Sequence, residues 1–225
     1  MGRLFIGVGV CAAALTGHAH AGAWIAPEGG QEIASVAYGR DGDAHVVEAD
    51  YYFERPVGRS ASIVARPWVE GRTEFETQWR GEATIAGKAA LLRGERATIA
   101  VQAGAVWRSD PAPGCGEAGG EVRALAGLSR GRVFFNAEAA QQTFSGGCER
   151  QRYELTAGFR PAARWLTMAQ AFVEAGAGDE SIQAQLSAVR FGRDGGALQV
   201  GLRARLDGDG PAAAFVLGWW GASRR

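Results

Sequence analysis

Residues 151–160 read Gln-Arg-Tyr-Glu-Leu-Thr-Ala-Gly-Phe-Arg, with Tyr153, Leu155, Ala157 and Phe159 on one parity and Arg152, Glu154, Thr156 and Arg160 on the other. Successive side chains of an extended chain point to opposite faces, so this segment has one apolar and one polar face. A period of two over about ten residues is what a strand needs when lipid lies on one side and polar surroundings on the other. Eleven further segments read the same way, at 32–39, 45–55, 60–70, within 79–92, and at 97–108, 121–129, 132–142, 165–175, 181–191, 197–206 and 212–220. The expected fold is all-β: a transmembrane antiparallel up-and-down β-barrel of about twelve strands. A secreted β-sandwich is the competing architecture, because its strands also alternate.

Three segments fit less well. Pro67 cannot donate to a ladder and demotes the end of the third strand. Segment 165–175 alternates poorly, and Arg190 falls on the apolar face of its strand, where it is expected to snorkel to the interface. The connections offer an independent test. With both ends of the barrel inside, the inner turns are 56–59, 93–96, 130–131, 161–164 and 193–196, all tight and carrying Gly or Pro. Segments 109–120 and 143–150 are then the longest outer loops. One contains Cys115 and the other Cys148, so the strand count puts both thiols at the same end.

The N-terminus sets the compartment. A positive start at Arg3, an apolar stretch over 4–16 and the small residues Ala19 and Ala21 form a secretory signal peptide over 1–21. The barrel domain then covers 22–225. The apolar stretch is short of the roughly 20 residues of a spanning helix. Cys11 invites a lipoprotein reading, but Val10 stands where a lipidation site wants a small residue. In an exported chain Cys115 and Cys148 read as a disulfide. They have no metal-site spacing, and His45 lacks a ligand partner, so neither a metal nor a cofactor is expected. Acidic and basic residues balance at 24 each, so no global field points to nucleic acid.

Aromatic residues gather at both interfaces of such barrels. Tyr51, Phe53, Trp107, Phe159, Trp165, Trp219 and Trp220 are the expected interface aromatics. The polar faces assign Glu48, Asp50, Glu54, Arg66, Glu82, Lys88, Arg123, Glu138, Arg152, Glu154, Arg203 and Arg205 to the lumen. Acids concentrate on the second strand and Arg203 and Arg205 on the eleventh. Such charges either line a path for a polar solute or pair across strands and plug it.

Motifs suggesting chemistry fail on context. Gly127-Leu128-Ser129-Arg130-Gly131 has nucleophile-elbow spacing, but it crosses a turn between two strands instead of a strand-to-helix turn. Barrel lipases pair a serine with a histidine, and His45 lies at the outer end of its strand, far from Ser129 and from Ser62. No catalytic residue is expected. Asp41-Gly42-Asp43 and Asp207-Gly208-Asp209-Gly210 read as ordinary turn chemistry, with weak divalent-cation binding, which bridges lipopolysaccharide phosphates, as the alternative.

The segment Gly22-Ala23-Trp24-Ile25-Ala26-Pro27-Glu28-Gly29 resembles the mature start of a group of small proteobacterial outer-membrane proteins, some linked with biofilm polysaccharide. Leu217-Gly218-Trp219-Trp220 is similar to the aromatic end that barrel-assembly machinery reads, although here Gly221 to Arg225 follow it. The resemblance implies an outer-membrane location, with lipid, lipopolysaccharide and the assembly machinery as partners and a polysaccharide as a candidate solute. The functional expectation is passage or export of a hydrophilic solute. A structural or surface-interaction barrel with a plugged lumen is the alternative, followed by a lipid-modifying enzyme.

Overall fold

The computed structural model describes residues 23–73, 77–193 and 195–222. The expected signal peptide lies outside them. The described chain forms twelve strands: β1 (Gln31–Asp41), β2 (Ala44–Pro56), β3 (Ala61–Thr73), β4 (Thr77–Arg93), β5 (Ala97–Arg108), β6 (Ala118–Arg130), β7 (Val133–Phe144), β8 (Cys148–Ala162), β9 (Trp165–Gly176), β10 (Ser181–Phe191), β11 (Ala197–Gly208) and β12 (Ala213–Ala222). Every strand pairs antiparallel with its sequence neighbours, and β1 also pairs with β12, closing the barrel. Closure removes the unpaired edge that an open sheet would present.

Burial inverts the pattern of a water-soluble protein. Leu155 (60 %), Ile85 (66 %) and Leu202 (66 %) are exposed on the outer wall, whereas Lys88 (1 %) and Glu54 (0 %) are enclosed. An apolar outer wall around a charged interior is stable only with hydrocarbon outside, so this barrel spans a membrane. The sandwich alternative fails on both closure and burial.

The structure corrects two sequence expectations about the strands and explains a third. β3 runs through Pro67 to Thr73 instead of weakening there. Its register with β2 skips Tyr51 and Tyr52, opposite Pro67 and Arg66, and resumes unchanged, while Pro67 still faces Ala83 on β4. The missing N–H therefore costs a local gap on one side only. Segment 165–175 alternates poorly because the inward face of β9 is itself apolar at Leu166 and Met168, both buried. Turn lengths also differ from expectation. β7 and β8 extend to Phe144 and Cys148, leaving only 145–147 between them. Among the described outer connections only 109–117 is long; hairpin pairing extends further than expected and consumes the rest.

Cys115 in that loop and Cys148 at the start of β8 form a disulfide with Cα atoms 5.6 Å apart. It ties the β5–β6 loop to the β7–β8 hairpin at the outer end. Replacing both cysteines by serine should lower stability by about 2–4 kcal/mol, read as a shifted urea midpoint of the micelle-embedded barrel. An unchanged midpoint would show that the bridge carries no stability.

Candidate functional site: the lumen and its two closures

Strand parity turns the charged residues inward, and closure decides which of them meet. Arg123 on β6 donates from Nε to Glu121 Oε1 at 3.0 Å and from Nη1 to Glu138 Oε2 at 2.8 Å. Arg66 stands 3.6 Å from the same Glu138 carboxylate. Gln142 Nε2 donates to Glu121 (2.7 Å) and Glu82 (3.3 Å), and Gln142 Oε1 accepts from Arg150 Nε at 2.8 Å. Glu82 also pairs with Arg150 and, at 2.9 Å, with Arg152, whose other terminus meets Glu174 at 2.5 Å. These hydrogen bonds and ion pairs form one ladder from β3 to β9.

The acids of β2 and the arginines of β11 do not remain separate poles. Arg203 donates to Glu48 Oε2 at 2.6 Å and Arg205 to Asp41 Oδ1 at 3.1 Å, across the strands that close the barrel. Arg72 holds the other oxygen of Asp41 at 2.9 Å. Asp41 is thus an internal ion-pair partner, and Asp207 Oδ1 accepts from the N–H of Gly208 at 2.9 Å, which is local turn chemistry.

Two cavities remain between these networks. The outer, of about 170 Å³, is flanked by Glu70, Arg80, Glu82 and Asp179; the inner, of about 180 Å³, by Tyr52, Gln102, Gln170 and Trp220. Asp50, Arg66, Glu154, Phe172 and Arg203 line both and form a waist between them. The waist is charged with both signs and carries one aromatic face, over which Arg203 lies at 5.5 Å.

The inner end is closed by a segment that the sequence marks only through a resemblance. Residues 23–30 fold back into the barrel instead of leaving it. Lys88 Nζ donates to the carbonyl oxygen of Trp24 at 2.6 Å and to both oxygens of Glu54 at 3.2 and 3.0 Å. Glu54 accepts in addition from Ser62 Oγ at 2.6 Å, from Ala26 N–H at 3.0 Å and from the Tyr52 hydroxyl. Ala23 packs against Ala100 and Leu125. The Trp24 ring lies against Gly127, where a Cβ would come within 2.3 Å of it. Opposite this plug, Phe134, Leu166, Met168, Val189, Ala197 and Trp220 form a buried apolar cluster inside the wall.

The outer end is narrowed by the β9–β10 turn, residues 177–180. Asp179 reaches inward and accepts from Arg108 Nη2 at 2.6 Å, Arg150 Nη1 at 2.9 Å and Arg80 Nη1 at 3.5 Å.

Of the expected interface aromatics, Tyr51 and Phe53 lie on the outward parity of β2, and Trp107, Phe159, Trp165 and Trp219 are exposed on the outer wall. Trp220 is a correction. It faces the lumen, 8 % exposed, with Nε1 donating to Gln199 Oε1 at 2.8 Å. Adjacent residues of one strand cannot both face lipid, so Trp219 takes the interface and Trp220 the interior. Arg190 points outward, 5.8 Å over the Trp165 ring beside the inner turn. His45 Nδ1 bonds the Tyr38 hydroxyl at 2.7 Å on the outer wall, while Ser62 serves Glu54 inside and Ser129 pairs with Phe134 at the inner end of β6. No histidine–serine dyad is brought together among the described residues.

Several lumen residues were missing from the expected set. Glu70, Arg80, Arg108, Glu121, Arg150 and Glu174 all carry inward parity, and strand alternation alone would have found them. Asp179 and residues 23–30 lie outside strands, where no periodicity assigns a face.

Comparison with known proteins places this architecture. No protein-family model matches the chain, and no curated protein does. Among solved structures it is similar to the NanC porin (TM-score 0.58, 7 % identity, covering 86 % of this chain and 100 % of that one). A KdgM porin solved in complex with disordered oligogalacturonate matches at TM-score 0.57 and 5 % identity, covering 84 % and 97 %. An outer membrane channel from Pseudomonas putida F1 matches at TM-score 0.57 and 9 % identity, covering 86 % and 94 %. At such identities the likeness is one of fold: this chain is a closed twelve-stranded barrel of the architecture found in bacterial outer-membrane porins.

Proposed function

We propose that the protein is a non-enzymatic outer-membrane channel for a hydrophilic solute, held shut in the conformation described. The observation that carries this reading is the waist: two chambers share a lining of Asp50, Arg66, Glu154, Phe172 and Arg203. Both closures are made by segments outside the strand ladder, a terminal segment and a turn, so each can move without breaking the wall. A barrel that served only as a scaffold would gain more from a continuously packed interior than from buried ion pairs around cavities.

A polysaccharide or oligosaccharide is the solute class we favour. Paired charges of both signs and an aromatic face at the waist offer hydroxyl-rich chains many hydrogen-bond partners and a stacking surface. The N-terminal resemblance to proteins linked with biofilm polysaccharide and the KdgM porin's oligogalacturonate complex support this choice. Lipopolysaccharide at the outer rim and the barrel-assembly machinery during insertion are the proposed partners.

The plugged structural barrel is the second reading, favoured by the two closures themselves. Planar-bilayer recording separates them. We expect brief, small openings of the intact protein at elevated voltage; silence both in the intact protein and in a variant lacking residues 23–29 would overturn the channel.

A further inference from the structure

The three guanidinium groups at the outer mouth are built into the wall, whereas the carboxylate they hold is not. Arg80 comes from β4, Arg108 from β5 and Arg150 from β8. Each is anchored independently of Asp179. Arg80 is held by Glu70 at 2.9 and 3.2 Å and lies 5.4 Å over Trp68. Arg150 is held by Glu82 and Gln142. Arg108 and Arg150 lie over the Phe144 ring at 5.5 and 5.8 Å. Asp179, by contrast, hangs from a turn whose preceding residues Gly176, Ala177 and Gly178 all take left-handed conformations, at φ 96°, 53° and 84°. Ala177 adopts a conformation that a residue with a Cβ disfavours, and its carbonyl oxygen accepts only a 3.4 Å bond from Arg108. Backbone bonds hold the turn at its ends, Asp179 N–H to the Gly176 carbonyl at 3.1 Å and Asp209 N–H to the Glu180 carbonyl at 2.7 Å. Among the described residues none ties it into the strand ladder between them, so the acceptor is the movable part.

Charge fixes what can replace it. The lining of this chamber carries ten carboxylates against six guanidinium groups, so an additional anion is repelled. One carboxylate exchanged for another leaves the local charge unchanged, and planar guanidinium groups are suited to receive it.

We propose that Arg80, Arg108 and Arg150 form a carboxylate-binding site for an acidic sugar arriving from outside, and that Asp179 occupies it as an internal stand-in while the mouth is closed. The sugar carboxylate displaces Asp179 and releases the β9–β10 turn. This deepens the channel reading and rests on it for the passage step, but the binding site itself does not.

The test is calorimetric titration of the folded, micelle-embedded protein with glucuronate, with glucose as the uncharged control. Asp179→Asn keeps the turn's shape and removes the competitor, so glucuronate should bind about tenfold more tightly than to the intact protein. Arg108→Gln added to Asp179→Asn should abolish that gain, and glucose should bind neither variant. Asp179→Ser gives the same readout should the asparagine variant lose its heat-modifiable gel mobility. Glucuronate binding no tighter without the Asp179 carboxylate, or glucose binding as well as glucuronate, overturns the site. Tighter binding in a protein that never conducts supports the site and overturns the channel; conduction without the gain in binding does the reverse.

Discussion

Lys88→Met should destabilise the barrel by about 3–5 kcal/mol and release its inner plug in the same step. Both side chains of the Lys88–Glu54 pair are fully enclosed, 3.0 Å apart. Removing the cation strands a buried carboxylate, which costs far more than the net contribution of the pair. The methionine fills the volume of the lysine stem but offers no donor to the carbonyl of Trp24. Adding Glu54→Gln should recover most of the loss, because the neutral amide still accepts from Ser62 and Ala26. Urea midpoints of tryptophan fluorescence for the single and double variants measure this. A loss below about 1 kcal/mol for Lys88→Met would mean that the pair is solvated and the plug does not depend on it.

Clearing the inner mouth should raise single-channel conductance severalfold. Two variants approach this from opposite sides. Deleting residues 23–29 removes the plug and leaves β1 intact from Gln31. Gly127→Val leaves the plug but fills its seat, since even a Cβ would lie 2.3 Å and 2.6 Å from two atoms of the Trp24 ring and 2.9 Å from Asn136 Oδ1. A β-branched residue suits the strand, so the expected casualty is the docking of Trp24 and not β6. If both variants fold, as heat-modifiable mobility would report, and both conduct like the intact protein, the resistance lies elsewhere, with the Asp179 turn the remaining closure.

How much of this was readable in advance depended on whether a residue sat in the ladder. Along β8 the alternation alone placed Leu155 outside and Arg152 inside, because a one-residue slip would put every charge into lipid. Closure added what parity cannot: Arg203 and Glu48 stand on strands nine apart in order, and only the β1–β12 pairing brings them to 2.6 Å. The apolar cluster around Trp220 was obscured by the assumption that inward means polar, which holds at the waist and fails at the inner floor. Asp179 lies in a turn, and the plug is held by backbone groups of Trp24 and Ala26. Neither follows from side-chain periodicity.

The two bonds from β11 have a consequence for how the molecule enters a membrane. Arg203–Glu48 leaps over β12 and β1 and Arg205–Asp41 over β12, joining residues 155 and 164 positions apart. Until the first and last strands zip together, Arg203, Arg205 and Glu48 lack these charge partners while Asp41 keeps only Arg72, and hydrocarbon penalises each unpaired charge. A half-zipped intermediate is therefore expensive in lipid, and the final step becomes all-or-none. The same clasp that neutralises the finished lumen gives insertion its direction, since reopening would have to expose both pairs at once.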